Sequence, residues 1–418
     1  MTCHVTLLPE HSNLFVDEGT ILSDALREAG KSIPLDCGGK GKCGRCQVSV
    51  KGEVSPPDEA EREVLSQDQL ADHIRLACRT SIQGDATISL PEEEDAPLND
   101  WSLSEEEEPR RPQQPILRIF DIHSFPPSTE DLRSDVQRVF GAIADEAPAT
   151  PVDTLDLRTA RRISRLGREE NWSFRVFARE AEVLSVVPTG TRPLGMAVDL
   201  GSTKLAAYLM DLLSGEIMSA KGALNPQMSH GADVVSRLQW AMQSDEEAKL
   251  LARMIRETVS NLSVELAKEA KVSNAQIADV CIAGNSAMAH LFLELPARPL
   301  AAAPYVSAHE GPLDVKAHEL GLDIAPGAYV HFPPQLGGYV GADNVSMILG
   351  TGLDCPGPIR LGLDIGTNTE IVLSVTRDDQ CTLYVASAPS GPALEGAHLS
   401  SGMRAVSGAI SKVELNHG

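Results

Sequence analysis

The sequence predicts a multidomain protein, α+β in its N-terminal part and α/β in its C-terminal part, on three observations. A glycine-studded cysteine loop at 37–46 (CGGKGKCGRC) sits among short strand patterns and is completed by Cys78. A charged, proline-bearing stretch over 92–115 interrupts the hydrophobic patterning. A strand–turn–strand element with a D-x-G-[ST] turn occurs twice, at Asp199 and at Asp364, about 165 residues apart. A chain of 418 residues with 42 % hydrophobic residues is also too long for a single core.

In chain order, residues 3–8 and 12–17 read as two strands joined by a turn. Thr20 is placed to cap a helix through Ala29, with Ile21, Leu22, Ala25 and Leu26 at helical spacing and Gly30 ending it. Strand patterns return at 46–50, 73–79 and 86–90, and Ser55-Pro56-Pro57-Asp58-Glu59 opens a short acidic helix between them. This order is a β-grasp over residues 1–91.

Within it, Cys37, Cys43, Cys46 and Cys78 have the spacing C-x5-C-x2-C-x31-C. That is close to the C-x4-C-x2-C…C arrangement by which four thiolates hold a [2Fe–2S] cluster in plant-type ferredoxins. A loop wrapping three thiolates around an inorganic core needs positive-φ turns and backbone N–H groups aimed at sulfur, which the glycines permit. A structural zinc site is the alternative, but zinc ligands usually come as closely spaced pairs, and here three crowd one loop. Lys40, Lys42 and Arg45 surround the loop. They are either solubilising surface residues or groups that tune the cluster and orient a redox partner.

Residues 92–115 carry runs of like charge and several prolines, so they read as a linker, one that lets the cluster domain swing. A small α+β middle domain over 116–190 follows. Strands are expected at 116–123, 172–178 and 181–187, with helices from Ser128 to about Ala144 and from Thr154 to about Leu166. It contains no chemical constellation.

The region 191–418 carries the repeated element. An apolar strand ends in Asp199, turns through Gly201, Ser202 and Thr203, and re-enters a strand at Lys204; a third strand is expected at 215–222. The same pattern recurs as Asp364, Gly366, Thr367, Asn368 and Thr369. The glycines let the backbone approach phosphate oxygens, to which the N–H groups and hydroxyls donate. Asp199 and Asp364 are suited to holding Mg²⁺ or its waters, and Lys204 to neutralising a transferring phosphoryl group. No G-x-x-x-x-G-K-[ST] loop occurs, so this is not a P-loop ATPase.

The duplicated hairpin resembles the sugar kinase, Hsp70 and actin superfamily, in which two ribonuclease-H-like halves close on ATP. Joined to the cysteine loop and linker, the chain resembles the reductive activators of corrinoid proteins. The resemblance also rests on 225–235, 282–291, 337–343, 363–370 and 402–405. It implies ATP with Mg²⁺ and a [2Fe–2S] cluster as cofactors. It further implies a corrinoid protein of a methyltransferase system as electron acceptor, reduced from Co(II) to Co(I), and an external low-potential reductant as donor. A homodimer is compatible with it.

By the same resemblance Asn225 and Gln227 lie in the active cleft and Asp233 starts the next helix. Gly284 and Asn285 form a turn near the phosphates, and Asp343 sits at the nucleotide cleft. For Asn225 and Asn285 turn geometry alone is the alternative, and for Asp343 helix capping. Ile410–Leu415 reads as a strand with no return strand after it, so the second half is expected to be incomplete and the chain truncated, its adenosine side missing. Two other functions stay open: an activator of a radical dehydratase, or a ferredoxin fused to a non-hydrolysing docking module.

The formal net charge of -23 argues against nucleic acid or an anionic membrane as partner. No signal peptide and no run of 18 apolar residues is expected, and eight cysteines, four in the cluster pattern and Cys3, Cys281, Cys355 and Cys381 scattered, suit a reducing compartment, so a cytoplasmic location is expected. Cys281, in an apolar run, reads as a small core residue.

Overall fold

The computed structural model describes residues 2–8, 12–29, 31, 33, 39–42, 44–90, 116–231, 233–366 and 368–390. The expected linker at 92–115 and strand at 410–415 lie outside the described residues, as do Gly30, Cys37, Cys43 and Thr367. Two compact units are present, residues 1–97 with 225–251, and residues 98–224 with 252–418.

The first unit contains a five-stranded mixed sheet of order β2-β1-β5-β3-β4. Its elements in chain order are β1 (Thr2–Leu8), β2 (Ser12–Asp17), α1 (Leu22–Glu28), β3 (Gln47–Val54), α2 (Glu59–Val64), α3 (Gln67–Ala71), β4 (Ile74–Leu76) and β5 (Ile82–Ser89). Only β1 and β5 run parallel, which is the β-grasp signature the sequence predicts. Val5, Leu7, Leu22, Leu26, Val48, Leu76, Ile82 and Ile88 form its core.

Three local expectations shift. Ile21, not Thr20, caps α1, because Thr20 turns its hydroxyl back to the Asp17 carbonyl at 2.6 Å. The strand expected over 73–79 ends at Leu76, since Ala77-Cys78-Arg79 form a turn whose Arg79 and Thr80 N–H groups donate to the Leu76 carbonyl. A second helix, α3, capped by Ser66, follows α2.

The second unit opens with a four-stranded sheet of order β6-β8-β9-β7. It is built from β6 (Leu117–His123), α4 (Asp135–Glu146), β7 (Thr154–Leu155), α5 (Leu157–Glu169), β8 (Ser173–Arg179) and β9 (Glu182–Pro188). Helix α4 begins after a Ser134 capping box, later than the Ser128 start expected, because Ser128 closes a local turn with Asp131. Phe120, Val139, Ile163, Trp172, Phe174 and Val186 fill the space between helices and sheet.

A six-stranded sheet of order β12-β11-β10-β13-β15-β14 comes next. Its first three strands are β10 (Leu194–Leu200), β11 (Lys204–Asp211) and β12 (Ile217–Leu224), an antiparallel meander. Helices α6 (Val234–Ala241) and α7 (Asp245–Glu269) precede β13 (Ile277–Ala283), α8 (Ser286–Leu293) and α9 (Arg298–Ala301); β14 (Leu313–Lys316), β15 (Tyr329–Phe332) and α10 (Ala342–Thr351) follow. Strand β13 joins β10 in parallel and β15 joins β13 in parallel. Counted from β10, leaving aside the edge strand β14, the spatial order is 3-2-1-4-5, a ribonuclease-H-like half. The strand expected at 215–222 is displaced to Ile217–Leu224 by a turn that Asp211 closes on Leu213 and Ser214.

The last described sheet is the antiparallel meander β16 (Arg360–Ile365), β17 (Asn368–Arg377) and β18 (Gln380–Pro389), which repeats the opening of the six-stranded sheet.

Candidate functional site

The cysteine site is assembled by β-sheet register. Gln47 pairs with Leu76 across β3 and β4, so the residues just outside that pair, Cys46 and Ala77, are joined by an Ala77 N–H donating to the Cys46 carbonyl at 2.9 Å. This brings the Sγ atoms of Cys46 and Cys78 to 3.3 Å, both residues buried, 2 % and 7 % exposed. The Cys78 thiol beside it holds the Cys46 thiol down to about 7, against burial, which raises it. Two thiolates on one tetrahedral metal at bonds of about 2.3 Å stand about 3.8 Å apart, so an opening of about 0.5 Å would seat both on one iron.

The loop backbone fits the same group. Gly39, Gly41 and Gly44 have φ of 79°, 71° and 66°, a region that side-chain-bearing residues rarely adopt. A Cβ on Gly44 would stand 2.8 Å from Val64 Cγ1. Cys37 and Cys43 lie outside the described residues; Lys40, Lys42 and Arg45 are exposed around the loop.

The acidic helix α2 supports the Cys78 turn in a way that sequence reading missed. Glu61, with no exposed side chain, accepts from Arg75 Nε at 3.0 Å, Arg75 Nη2 at 2.7 Å and the Leu76 N–H at 2.9 Å. Its partner in the capping box, Asp58, accepts from Arg79 Nε at 2.7 Å. From the other side, the Leu22 and Ser23 N–H groups at the start of α1 donate to the Thr80 and Ala77 carbonyls. The D-x-x-E pattern Asp58–Glu61 was the available signal.

The second site lies where strand ends meet glycine turns. A Cβ on Gly201 would sit 2.1 Å from the Lys204 carbonyl oxygen, one on Gly284 2.8 Å from the Leu200 oxygen, and one on Gly341 2.4 Å from the Gly284 oxygen. These contacts stack the β10–β11 turn, the β13–α8 turn and the start of α10, and the Ala342 N–H donates to the Gly284 carbonyl at 2.9 Å. Asn285 caps α8 through the Ala287 N–H and donates Nδ2 to the Tyr339 carbonyl at 2.7 Å, so its side chain is spent on turn geometry. Gly341 occupies the cap of α10; Asp343 is in the first turn and accepts from the Asn344 N–H at 2.8 Å.

Around these turns the acidic side chains act on one another. Burial, then the charges of Asp343 and Asp364, push Asp199 up to about 6. Asp199 and Asp364 are nonetheless exposed, so water reaches the group, and the like-charge repulsion describes an open cluster of negative charge. Asp343 is raised to about 6 by burial, opposed by the Asn344 N–H and reinforced by Asp364. Glu370 is a further member that the sequence reading did not select. It pairs directly with Asp364 across the β16–β17 hairpin, is 5 % exposed, accepts from Ser387 Oγ at 3.2 Å, and is raised to about 7 by burial and by Asp343.

Among the described residues no three such side chains form a ready metal cage. Oxygen donors set apart suit Mg²⁺, which keeps several waters and leans on substrate phosphates. In the second hairpin the Gly366 N–H donates to the Asn368 carbonyl at 2.9 Å, and Thr369 Oγ1 bonds Ser390 Oγ. Lys204 opens β11.

Asn225 and Gln227 belong to the first unit and are buried. Asn225 accepts from the Gln227 N–H at 3.0 Å, and Gln227 Nε2 donates to the Leu251 carbonyl at 2.9 Å. Asp233 caps α6.

A β-grasp of the ferredoxin kind, followed by a ribonuclease-H-like lobe and a repeat of its opening hairpin, defines a two-module class, a ferredoxin-type domain joined to a fold of the actin type. Comparison narrows the class. Residues 2–83 match the 2Fe-2S iron-sulfur cluster binding domain, 194–355 the RACo middle region, and 358–418 the C-terminal domain of RACo, the ASKHA domain. The chain is RACo-like, with these three regions in series.

It is 33 % identical over 413 residues to the corrinoid activation enzyme RamQ of Eubacterium limosum, covering 96 % of this chain and 64 % of that protein. A solved reductive activator for a corrinoid, iron-sulfur protein is 30 % identical with a TM-score of 0.61, over 97 % of this chain and 66 % of that one. The [Co(II) methylated amine-specific corrinoid protein] reductase of Methanosarcina barkeri is 28 % identical over 232 residues, 53 % of this chain and 40 % of that protein. The chain thus spans just under two thirds of the first two relatives.

Proposed function

We propose that the chain couples ATP hydrolysis to the one-electron reduction of a corrinoid protein, Co(II) to Co(I), in a methyltransferase system. The observation that supports this reading is the coexistence, in one RACo-like chain, of a buried thiol pair at 3.3 Å and of carboxylates gathered at two phosphate-type hairpins. When bound, a [2Fe–2S] cluster supplies single-electron transfer. Cys37, Cys43, Cys46 and Cys78 would hold it, and the basic residues Lys40, Lys42 and Arg45 would face an external low-potential reductant.

In the nucleotide lobe, the N–H groups and hydroxyls of Gly201, Ser202, Thr203, Gly366, Thr367, Asn368 and Thr369 would donate to phosphate oxygens. Asp199 and Asp364 would hold Mg²⁺ through its waters, Lys204 would neutralise the transferring phosphoryl group, and Asp343 would orient the attacking water. A corrinoid Co(II)/Co(I) step is uphill for an ordinary ferredoxin cluster. Differential affinity of the nucleotide-bound lobe for the corrinoid protein would supply the difference as a population shift.

The test is anaerobic reduction of a cob(II)alamin protein by the reconstituted chain, followed by the Co(I) absorbance, with and without Mg-ATP. Co(I) should accumulate with Mg-ATP, and ATP hydrolysis should rise when the corrinoid protein is added. Complete electron transfer with unchanged hydrolysis would sink the coupling.

A further inference from the structure

Asn344 is a buried polar residue that the proposed function does not use. It stands in the first turn of α10, next to Asp343, and has no exposed surface. Neither Oδ1 nor Nδ2 of its side chain has a hydrogen-bond partner. Buried side-chain polar atoms are paired at the large majority of native positions, because a donor or acceptor withdrawn from water and left unmatched is destabilising.

Neither capping nor packing accounts for it. A polar side chain three residues after the cap can reach back to the cap N–H, but the Asn344 carbonyl oxygen makes no such bond. One turn further on, the buried position is filled by Ile348, which packs on Leu353 and Val372. An apolar residue at 344 would extend that contact. The helix and β17 run side by side, which fixes what lies at the same level. The Leu353 carbonyl, just past α10, accepts from Ser374 Oγ at 2.6 Å, and Ile348 meets Val372. From Leu353 back to Asn344 the helix covers about 14 Å, and from Ser374 back to Glu370 the strand covers about 13 Å. Asn344 therefore falls at the level of Glu370, whose side chain shares a strand face with Val372 and Ser374. Glu370 Oε1 accepts from Ser387 Oγ at 3.2 Å, and a carboxylate has room for further donors.

We propose that Asn344 is a positioning residue of this lobe, its Nδ2 donating to the Glu370 carboxylate when Mg²⁺ and nucleotide are bound. The inference rests on the nucleotide-binding reading given above. Glu370 lies opposite Asp364 on the β16–β17 hairpin, and Asp343 precedes Asn344 on α10. A bond between Asn344 and Glu370 thus ties the helix that carries one carboxylate to the hairpin that carries the other. In the structure that bond is open, and the unpaired amide is what it leaves behind.

The experiment measures, on the full chain, calorimetric binding of Mg²⁺ with a non-hydrolysable ATP analogue, alongside thermal melts without ligand. Asn344→Leu, close to asparagine in shape, should melt no lower than wild type, because the amide it removes is unpaired in the free protein. It should nevertheless bind the analogue about tenfold more weakly, the loss of one hydrogen bond to a charged group. Asn344→Ala should show the same loss of affinity even where its cavity lowers the melt, which separates pairing from packing. In a Glu370→Ala background, Asn344→Leu should change the affinity by less than about twofold, as for two ends of one interaction. Wild-type affinity in both Asn344 variants, or a full loss on adding Asn344→Leu to Glu370→Ala, would overturn the proposal. Absence of binding by wild type would overturn the nucleotide reading itself, and this inference with it.

Discussion

At the residue scale the most informative side chain is Glu370. A strand position whose neighbour across the hairpin is Asp364 places two carboxylates directly opposite, an arrangement that repels when both are charged. Burial first, then the charge of Asp343 and to a lesser degree that of Asp364, hold Glu370 up near 7 from an ordinary 4.5. A carboxyl raised in the folded state binds its proton more tightly there than in the unfolded chain. Its contribution to stability is therefore complete below about 4.5 and is lost as pH rises through about 7. Without Mg²⁺, the melting temperature of the hairpin-bearing lobe should fall between those two values, and Glu370→Gln should flatten the slope. An unchanged slope in the variant would assign it elsewhere. Added Mg²⁺ should reduce the fall in wild type, since a cation relieves the same repulsion.

At the element scale α2 acts as the support for the Cys78 turn. Its six residues would be marginal as a helix by themselves. What fixes it is one carboxylate bonded to Arg75, the Leu76 N–H and, through the capping box, the Asp58 N–H. Glu61→Ala would leave the Arg75 guanidinium buried and unpaired, a loss of about 3–5 kcal/mol. The apo chain should show the lowered melting of the first unit, and the reconstituted chain a faster bleaching of its visible absorbance. Glu61→Gln should fall between the two, because it keeps one acceptor. The glycine turns act as elements in the same sense. At Gly341 any Cβ meets the backbone of 284–286, so α10 can start there only because the residue is glycine.

At the scale of the whole molecule, the four-stranded and six-stranded sheets share one compact unit. Glu182 on β9 bonds Lys316 on β14 at 2.6 Å and the Tyr329 hydroxyl on β15 at 2.7 Å. Arg179 on β8 bonds Asp314 at 2.6 Å and lies over the Tyr329 ring, and the Gly327 N–H donates to the Leu184 carbonyl. Burial, and then Glu182, push the Tyr329 hydroxyl up to about 12, so it remains a donor throughout the physiological range. Glu182→Ala should destabilise the unit by about 1–3 kcal/mol, and Tyr329→Phe by about 1 kcal/mol, in thermal melts. An effect within about 0.5 kcal/mol for both would mean that the sheets are held by apolar packing alone. The residues 116–190 are thus joined to the nucleotide lobe, although their sequence reads as a separate small domain.

By itself the sequence determined the element order of the β-grasp, the cysteine pattern and the repeated D-x-G-[ST] hairpins. All three are written in local spacing: alternation for strands, glycine at turns, thiols at metal-ligand intervals. The particular pairings were decided by tertiary structure. That Cys46 meets Cys78 follows from the β3–β4 register, and that Glu61 serves Arg75 and Leu76 follows from how α2 packs. Glu370 joins Asp364 because a two-stranded hairpin sets them opposite, and Asp343 joins both because α10 begins against the Gly284 turn. Asn285 shows the converse, for a side chain legible as a site residue is consumed by capping α8 and fixing the Tyr339 loop. Such outcomes depend on which distant backbone arrives at a given side chain, and spacing along the chain does not encode that.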